Sequence, residues 1–363
     1  MIRSLRATLH PTWYQGHRKR APYFEGWYYK LVDASEQHRF AVIPGIFKAA
    51  NSGESHAFVQ VLDGSTGEGT YHEYPLRAFA AAKDELDVHI GPNHFEPDSI
   101  SLQVECPERT MAGHLHFSGV SPWPVTVVSP GAMGWYAWVP LMQTYHGVVS
   151  LDHVIHGSLT VDGRAIDFSD GRGYIEKDWG RSFPDAWIWM QTNHFERPGT
   201  SFTASIATIP WLGTSFRGFI VGLWHAGRLY RFATYTGAQI EALFIGDEGF
   251  HAVISDQSHR LEVAARRAPG GVLRGPTGGD MGGRVPESLR ATVTLRLSAL
   301  GDGTAPLVFA GTGRNAGLEV VGERSQLVER DLSDVGLLRS TLESLPQQPM
   351  DAFQDSWLQP LCS

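Results

Sequence analysis

Short runs of β-branched and aromatic residues recur between turn signals almost from one end of this chain to the other. Among them are WYYKLV, RFAVIPGIF, AFVQVL, GVVSL, GSLTV, AWIWMQT, TASIATI, GFIVGLW, HRLEVAA, ATVTLRL, PLVFAG and GLEVVG. Between such runs, DGSTGEG, VDGRA, HAGR and LGDG carry the Gly and Asp that supply the positive φ of hairpin turns. Strands joined that way run antiparallel, so the fold class is all-β. One helical pattern stands out, from Ser325 to Leu345, with apolar positions at Leu327, Leu332, Val335, Leu338, Leu342 and Leu345. It is expected as a short C-terminal helix on the outside of the β structure or across one of its ends. The run from Pro269 to Pro286 is too rich in glycine for regular structure and is expected to be a mobile linker or a loop over a cavity mouth.

An internal echo divides the chain. Glu25-Gly26-Trp27-Tyr28-Tyr29 opens the first half, and Asp178-Trp179-Gly180 with Trp187-Ile188-Trp189 opens the second. Each is an acidic and tryptophan-bearing start to a meander, which predicts two related β units in tandem, residues 1–165 and 166–363. At 363 residues a compact form buries about three quarters of its unfolded surface, so a large core is available.

Thirty basic against 38 acidic residues give a net charge of −8, which argues against a general nucleic-acid or anionic-membrane binder. Cys106 and Cys362 are too few for a disulfide framework, and a reducing cytoplasm is expected. The basic N-terminus lacks the apolar core of a signal peptide, and no stretch reaches transmembrane length. The expectation is a soluble, unprocessed protein.

The most informative segment runs from Gly173 to His194. On a strand alternate residues share a face, so Tyr174, Glu176 and Asp178 point one way while Ile175, Lys177 and Trp179 point the other. The two carboxylates then lie roughly 6.5–7 Å apart. Like charges that close, in a pocket walled by rings, raise one another's pKa, and desolvation raises both further. A carboxyl group that stays protonated at neutral pH is expected. Beyond the FPDA turn, Trp187, Trp189, Gln191 and Asn193 share one face and wall the same cavity.

YFEGWYYK at 23–30, YHGVVSLDH at 145–153, GYIEKDWGRSFPDAWIWMQTNHF at 173–195, LRGPTGG near 273–279 and AGLEVVGE at 316–323 resemble the tocopherol cyclase family, in family order across nearly the whole chain. The resemblance implies two tandem lipocalin-like antiparallel β-barrels and a reaction without a cofactor. In it the phenolic oxygen of a prenylated hydroquinone adds across the first trisubstituted prenyl double bond and closes a chromanol ring. The family is similar, more distantly, to carotenoid 1,2-hydratases, which protonate an isoprenoid alkene and add water.

Protonating an alkene needs an acid that is itself protonated at neutral pH, and raising a Glu from about 4.3 to about 7 costs roughly 3–4 kcal/mol. Burial and a like neighbour supply shifts of that size. Glu176 is the first candidate for the acid, with Asp178 as the second or as the partner that perturbs it. Trp27, Trp187, Trp189 and Trp224 are candidates to stabilise the cation, each ring contributing on the order of 0.5–2 kcal/mol. His146, His153 or Tyr174 would draw the phenolic proton, Gln191 and Asn193 would orient the hydroquinone, and Glu25 and Tyr29 complete the substrate-binding set. No cofactor and no metal is expected, although His146, His153 and His156 with Asp152 have the residue types of a metal set. Competing readings pair Glu176 and Asp178 with Arg172, Lys177 or Arg181, assign the tryptophans to the core, and let Glu25 plug a barrel end through Arg324 or another arginine. A hydratase or isomerase of another isoprenoid alkene, and a passive carrier of hydrophobic small molecules, are the functional alternatives. The expected partner is a hydrophobic prenylated small molecule, reached through transient membrane contact by Trp135, Tyr136 and Trp138, by a cytoplasmic monomer or homodimer peripheral to the membrane.

Overall fold

The computed structural model describes residues 6–50, 55–140, 142–211, 213–301 and 305–328. The first sheet contains twelve strands. They are β1 (Tyr23–Val32), β2 (Arg39–Lys48), β3 (His56–Asp63), β4 (Gly69–Pro75), β5 (Phe79–Ala81) and β6 (Val88–Ile90), then β7 (Asn93–Phe95), β8 (Ser99–Cys106), β9 (Arg109–Ser118), β10 (Thr144–Val161), β11 (Arg164–Asp167) and β12 (Arg172–Gly180). The second contains ten. These are β13 (Trp187–Thr192), β14 (Ser201–Trp211), β15 (Thr214–His225), β16 (Arg228–Ala233) and β17 (Gln239–Ile245), then β18 (Gly249–Ser255), β19 (His259–Arg266), β20 (Gly271–Thr277), β21 (Asp280–Ala299) and β22 (Leu307–Val321).

The two sheets share one plan. In the first, β1 pairs with β2 on one side and with the last strand, β12, on the other; in the second, β13 pairs with β14 and with the last strand, β22. All of these pairings are antiparallel, and the fold is the expected all-β, lipocalin-like tandem. The change of sheet falls between Gly180 and Trp187, beyond the boundary expected after residue 165, because β12 is needed between β1 and β10 of the first sheet. Two of the expected turns are seen in Asp162-Gly163 and Ala226-Gly227, which take positive φ at the β10–β11 and β15–β16 hairpins, while the expected LGDG turn lies partly outside the described residues.

Three expectations need correction or fall away. The glycine-rich run from 269 to 286 is no loose loop, for most of it is the β20–β21 hairpin, turning at Gly278 and Gly279 with positive φ. Glycine there serves the turn and the close approach of neighbouring chain: a Cβ on Gly271 would lie 2.2 Å from the Gly67 carbonyl oxygen. Of the expected helix from Ser325 to Leu345, only a short 3-10 turn at Arg324–Gln326 and the residues up to 328 lie within the described residues, and Cys362 also lies outside them. PLVFAG and GLEVVG are parts of the single strand β22, and GVVSL and GSLTV of β10, whose register against β12 shifts twice.

Each sheet wraps a core of its own. Trp27, Tyr29 and Leu31 of β1 and Ile175 and Trp179 of β12 belong to the first; Ile188 and Met190 of β13 and Leu318 of β22 belong to the second. A third cluster lies between the sheets and holds the residues of the opposite faces: Tyr28, Tyr174, Trp187 and Trp189. Both faces of β1, β12 and β13 are therefore buried, and the period-two alternation sorts side chains between an interior and a seam.

Candidate active site

A cavity occupies the seam. Its apolar part is lined by Phe24, Phe58, Phe183, Phe216, Phe219 and Met281, and its polar part by Tyr28, His146, Glu176, Asp178, Glu287 and Glu319, with Trp187 and Trp189 between. Hydrogen-bond register places these groups. Glu176, central in β12, lies opposite Tyr28 of β1 and Val148 of β10, and Asp178 lies opposite His146 of β10. On the second sheet Glu319 of β22 lies opposite both Trp189 of β13 and Glu287 of β21.

Glu176 is 4% exposed. Its Oε2 accepts hydrogen bonds from the Tyr174 hydroxyl at 2.5 Å and from Trp189 Nε1 at 3.1 Å, and lies 3.7 Å from His146 Nε2. The other ring nitrogen of His146, Nδ1, is 3.0 Å from Asp178 Oδ1. Burial raises the Glu176 carboxyl to about 7, an effect that His146 opposes and Asp178 reinforces. For His146 burial works against the charge, but the carboxylates of Glu176 and Asp178 outweigh it and hold the imidazole up at about 9. The arrangement is an imidazole held toward its charged form between two carboxyl groups, with Glu176 pushed by burial toward its protonated form.

Across the cavity Tyr28 donates its hydroxyl proton to Glu287 Oε1, and Trp187 Nε1 donates to Glu319 Oε2 at 2.6 Å. Burial raises Glu287 to about 8, against the hydrogen bond from Tyr28 and the charge of Lys30. Burial and then Glu287 hold Glu319 well above the usual carboxylate range. Burial lowers the Lys30 ammonium to about 7; its Nζ donates to Gln191 Oε1 at 2.8 Å.

The structure thus brings Tyr174, Glu176, Asp178, His146, Trp187 and Trp189 to one place. It sets the remaining candidates elsewhere. Trp27 and Tyr29 point into the first sheet's interior, because they alternate with Tyr28, which holds the seam face. Glu25 is there too, with both oxygens accepting from the Gln15 amide at 3.0 Å and a buried ion pair to Lys177. Its charged partner is this lysine and not Arg324, which pairs with Asp247. Lys177 also lies 4.9 Å from the Trp27 ring and 4.8 Å from that of Trp179. His153 faces Ser150 and Phe117 inside the first unit, where burial lowers it to about 3. Gln191 near the end of β13 and Asn193 just beyond it bond across to the first sheet: Gln191 accepts from Lys30, and Asn193 donates to Asp152 and to the Gly173 carbonyl. Trp224 is partly buried at the seam, away from the cavity lining. The competing ion pairs do not form with Arg172 or Lys177, which are taken by Asp152 and Glu25.

Among the described residues two groups have donor spacing that a divalent cation could use: His146, Glu176 and Asp178 in the cavity, and Asp87, His89 and His94 on the surface. His153, His156 and Asp152 do not join His146, since His153 bonds Ser150, His156 bonds Ser118 and Asp152 bonds Arg172. In the cavity His146 Nδ1 is bonded to Asp178, and Glu176 Oε2 accepts from Tyr174 and Trp189. Tyr28, Glu287 and Glu319 were missed in the sequence. The signal for Glu319 was a lone carboxylate within the apolar strand GLEVVG.

A family model described as tocopherol cyclase-like matches residues 114–322. Tocopherol cyclase, chloroplastic, from Zea mays is 28% identical over 152 residues, which cover 40% of this chain and 31% of the maize protein. Probable tocopherol cyclase, chloroplastic, from Oryza sativa subsp. japonica is 27% identical over 161 residues, covering 42% of this chain and 33% of the rice protein. The matched stretch therefore spans about a third of the length of these curated relatives. Among solved structures, CghA with Sch210972 has a TM-score of 0.50 at 11% identity, covering 83% of this chain and 89% of that one. CghA without it has a TM-score of 0.51 at 10% identity. That likeness is one of fold. The family match takes in more than half of the 363 residues and includes His146, Glu176, Asp178, Glu287 and Glu319 of the cavity, so the chain belongs to the tocopherol cyclase-like family.

Proposed function

We propose that this protein closes a chromanol-type ring on a prenylated hydroquinone by protonating the first trisubstituted double bond of the tail. The observation that carries this reading is Glu176: a carboxyl group held near neutrality, at about 7, against an indole in a largely apolar cavity. Both donors to Glu176 reach Oε2, so Oε1 is the oxygen left for a transferable proton. When that proton leaves for the alkene, the Tyr174 and Trp189 bonds and the His146 charge are already in place to stabilise the new carboxylate, without reorganisation.

The tertiary cation is formed beside Trp189, Trp187 and Tyr28, whose ring faces attract positive charge. The aromatic lining keeps water from quenching it. With the tail folded back over the ring, attack by the phenolic oxygen is intramolecular, which is worth several kcal/mol of the barrier. Every step uses groups of this chain, and the tocopherol cyclases among its relatives are named for the product such a ring closure gives.

The test is incubation of purified protein with a phytylated benzoquinol under reducing conditions. A chromanol of unchanged mass supports the reading. A product heavier by one water would assign the chain to alkene hydration, and quinol recovered unchanged would leave a carrier.

A further inference from the structure

The sequence offered His146, His153 and Tyr174 as the group that takes the phenolic proton, and the geometry leaves none of them free to do it. His146 is held as the imidazolium between two carboxyl groups. His153 lies inside the first unit, and the Tyr174 hydroxyl proton is committed to Glu176. We propose that the acceptor is the carboxyl pair Glu287–Glu319, on the opposite wall of the cavity, and that this pair is the subsite for the hydroxyl of the aromatic head group.

Glu287 and Glu319 are directly opposed on β21 and β22, and opposed residues bring their Cβ atoms within about 4.5–5.5 Å. Glu287 is 1% exposed. Two carboxylates at that spacing, away from water, cannot both be ionised and share one proton. Such a pair offers one acceptor and one donor to a hydroxyl group. Tyr28 and Trp187 fix an oxygen of each partner, while the one donor near the buried Glu287 Oε2 is the proton shared with Glu319. The pair therefore keeps lone pairs free for a hydroxyl group, and both glutamates line the cavity.

This assignment rests on the cyclase reading and completes its proton balance. The O–H bond of Glu176 breaks as the C–H bond forms on the alkene. The phenolic oxygen forms the C–O bond, its O–H bond breaks, and that proton moves to the ionised member of the pair. The pair is then one proton richer and Glu176 one poorer, and a single proton returned across the cavity restores both.

The first measurement is turnover and product identity for Glu287→Gln and Glu319→Gln. Each variant should lose about 10²-fold or more in kcat, the usual worth of a positioned base, and the residual product should shift toward isomers in which the cation has lost a carbon-bound proton instead of closing the ring. Unchanged rate and product in both would overturn the proposal. The second measurement does not need turnover: binding of a hydroquinone with a saturated tail is compared with binding of its dimethyl ether. Wild-type protein should prefer the free hydroquinone by roughly tenfold or more, as for a hydrogen bond to a charged acceptor, and Glu287→Ala and Glu319→Ala should lose that preference. A wild-type protein that turns over no prenylated quinol yet shows this preference would sink the cyclase reading and leave the head-group subsite standing; equal binding of the two ligands would overturn the subsite.

Discussion

Glu176 and Lys177 are neighbours in the chain and lie in different compartments: the carboxyl of Glu176 faces the cavity between the sheets, and the ammonium of Lys177 is buried with Glu25 inside the first. One strand thus presents its chemistry on one face and a structural plug on the other. The side chains of Lys177 and Glu25 are both 0% exposed, so Lys177→Met strands a buried carboxylate. A loss of about 3–5 kcal/mol in urea unfolding is expected. Replacing both partners, Lys177→Met with Glu25→Leu, should recover most of it.

Glu176→Gln keeps the shape and removes the proton. Turnover should fall by at least about 10²-fold, with the near-ultraviolet circular dichroism of the aromatic seam unchanged. Full activity in this variant would remove Glu176 as the acid.

The same residue gives a pH signature. Burial raises its carboxyl from 4.5 to about 7, with His146, Asp178, Tyr174 and Trp189 beside it and Glu287 and Glu319 across the cavity. A raised value means that the folded protein binds this proton more tightly than the unfolded chain. The contribution to stability is fully present below 4.5 and is lost as pH rises through about 7. The stability difference between wild type and Glu176→Gln should therefore shift against wild type by up to about 3 kcal/mol over that window, measured by urea unfolding at a series of pH values. A difference that stays flat would contradict the burial of an ionisable group here.

Gly317 lies behind Trp189, where an added Cβ would come within 2.7 Å of the indole. Gly317→Ala should push the ring and break its bond to Glu176, at about 1–3 kcal/mol of stability. The activity loss should exceed what the remaining folded fraction explains, and Trp189 fluorescence should report the displacement.

The segment 124–138 has two sides. Met133 and Tyr136 line the cavity, while Val127, Val128 and Trp135 are 69%, 79% and 48% exposed. Trp138 is partly buried and bonds the Val127 carbonyl. Among the described residues no helix is long and apolar enough to cross a membrane, and with a net charge of −8 contact with lipid would rest on apolar insertion. Trp135→Ala should weaken co-sedimentation with uncharged liposomes; undiminished binding would count against a bilayer source for the substrate.

The all-β class and the alternation in β12 were legible because strand periodicity is local. Which face of β1 meets the cavity was not. Trp27 and Tyr28 are both aromatic and both buried, and only pairing with β12 puts Tyr28 opposite Glu176. Glu287 and Glu319 are far apart in the chain and meet through the β21–β22 register, which a hydrophobic pattern does not encode. Trp187 and Trp189 echo Trp27 in sequence, yet they face the seam whereas Trp27 faces inward. The echo between the halves lies in strand order, not in equivalent side chains.

Because β22 pairs back onto β13 and carries Glu319, synthesis of the chain meets an order of events. Once residue 180 has emerged, every strand of the first sheet exists, and its interior plug of Glu25 and Lys177 can form. At that moment Glu176 has no Trp189, no opposing carboxyl pair and no roof, so it is an ordinary wet glutamate. The raised pKa of Glu176 arrives only with the docking of the last described strand.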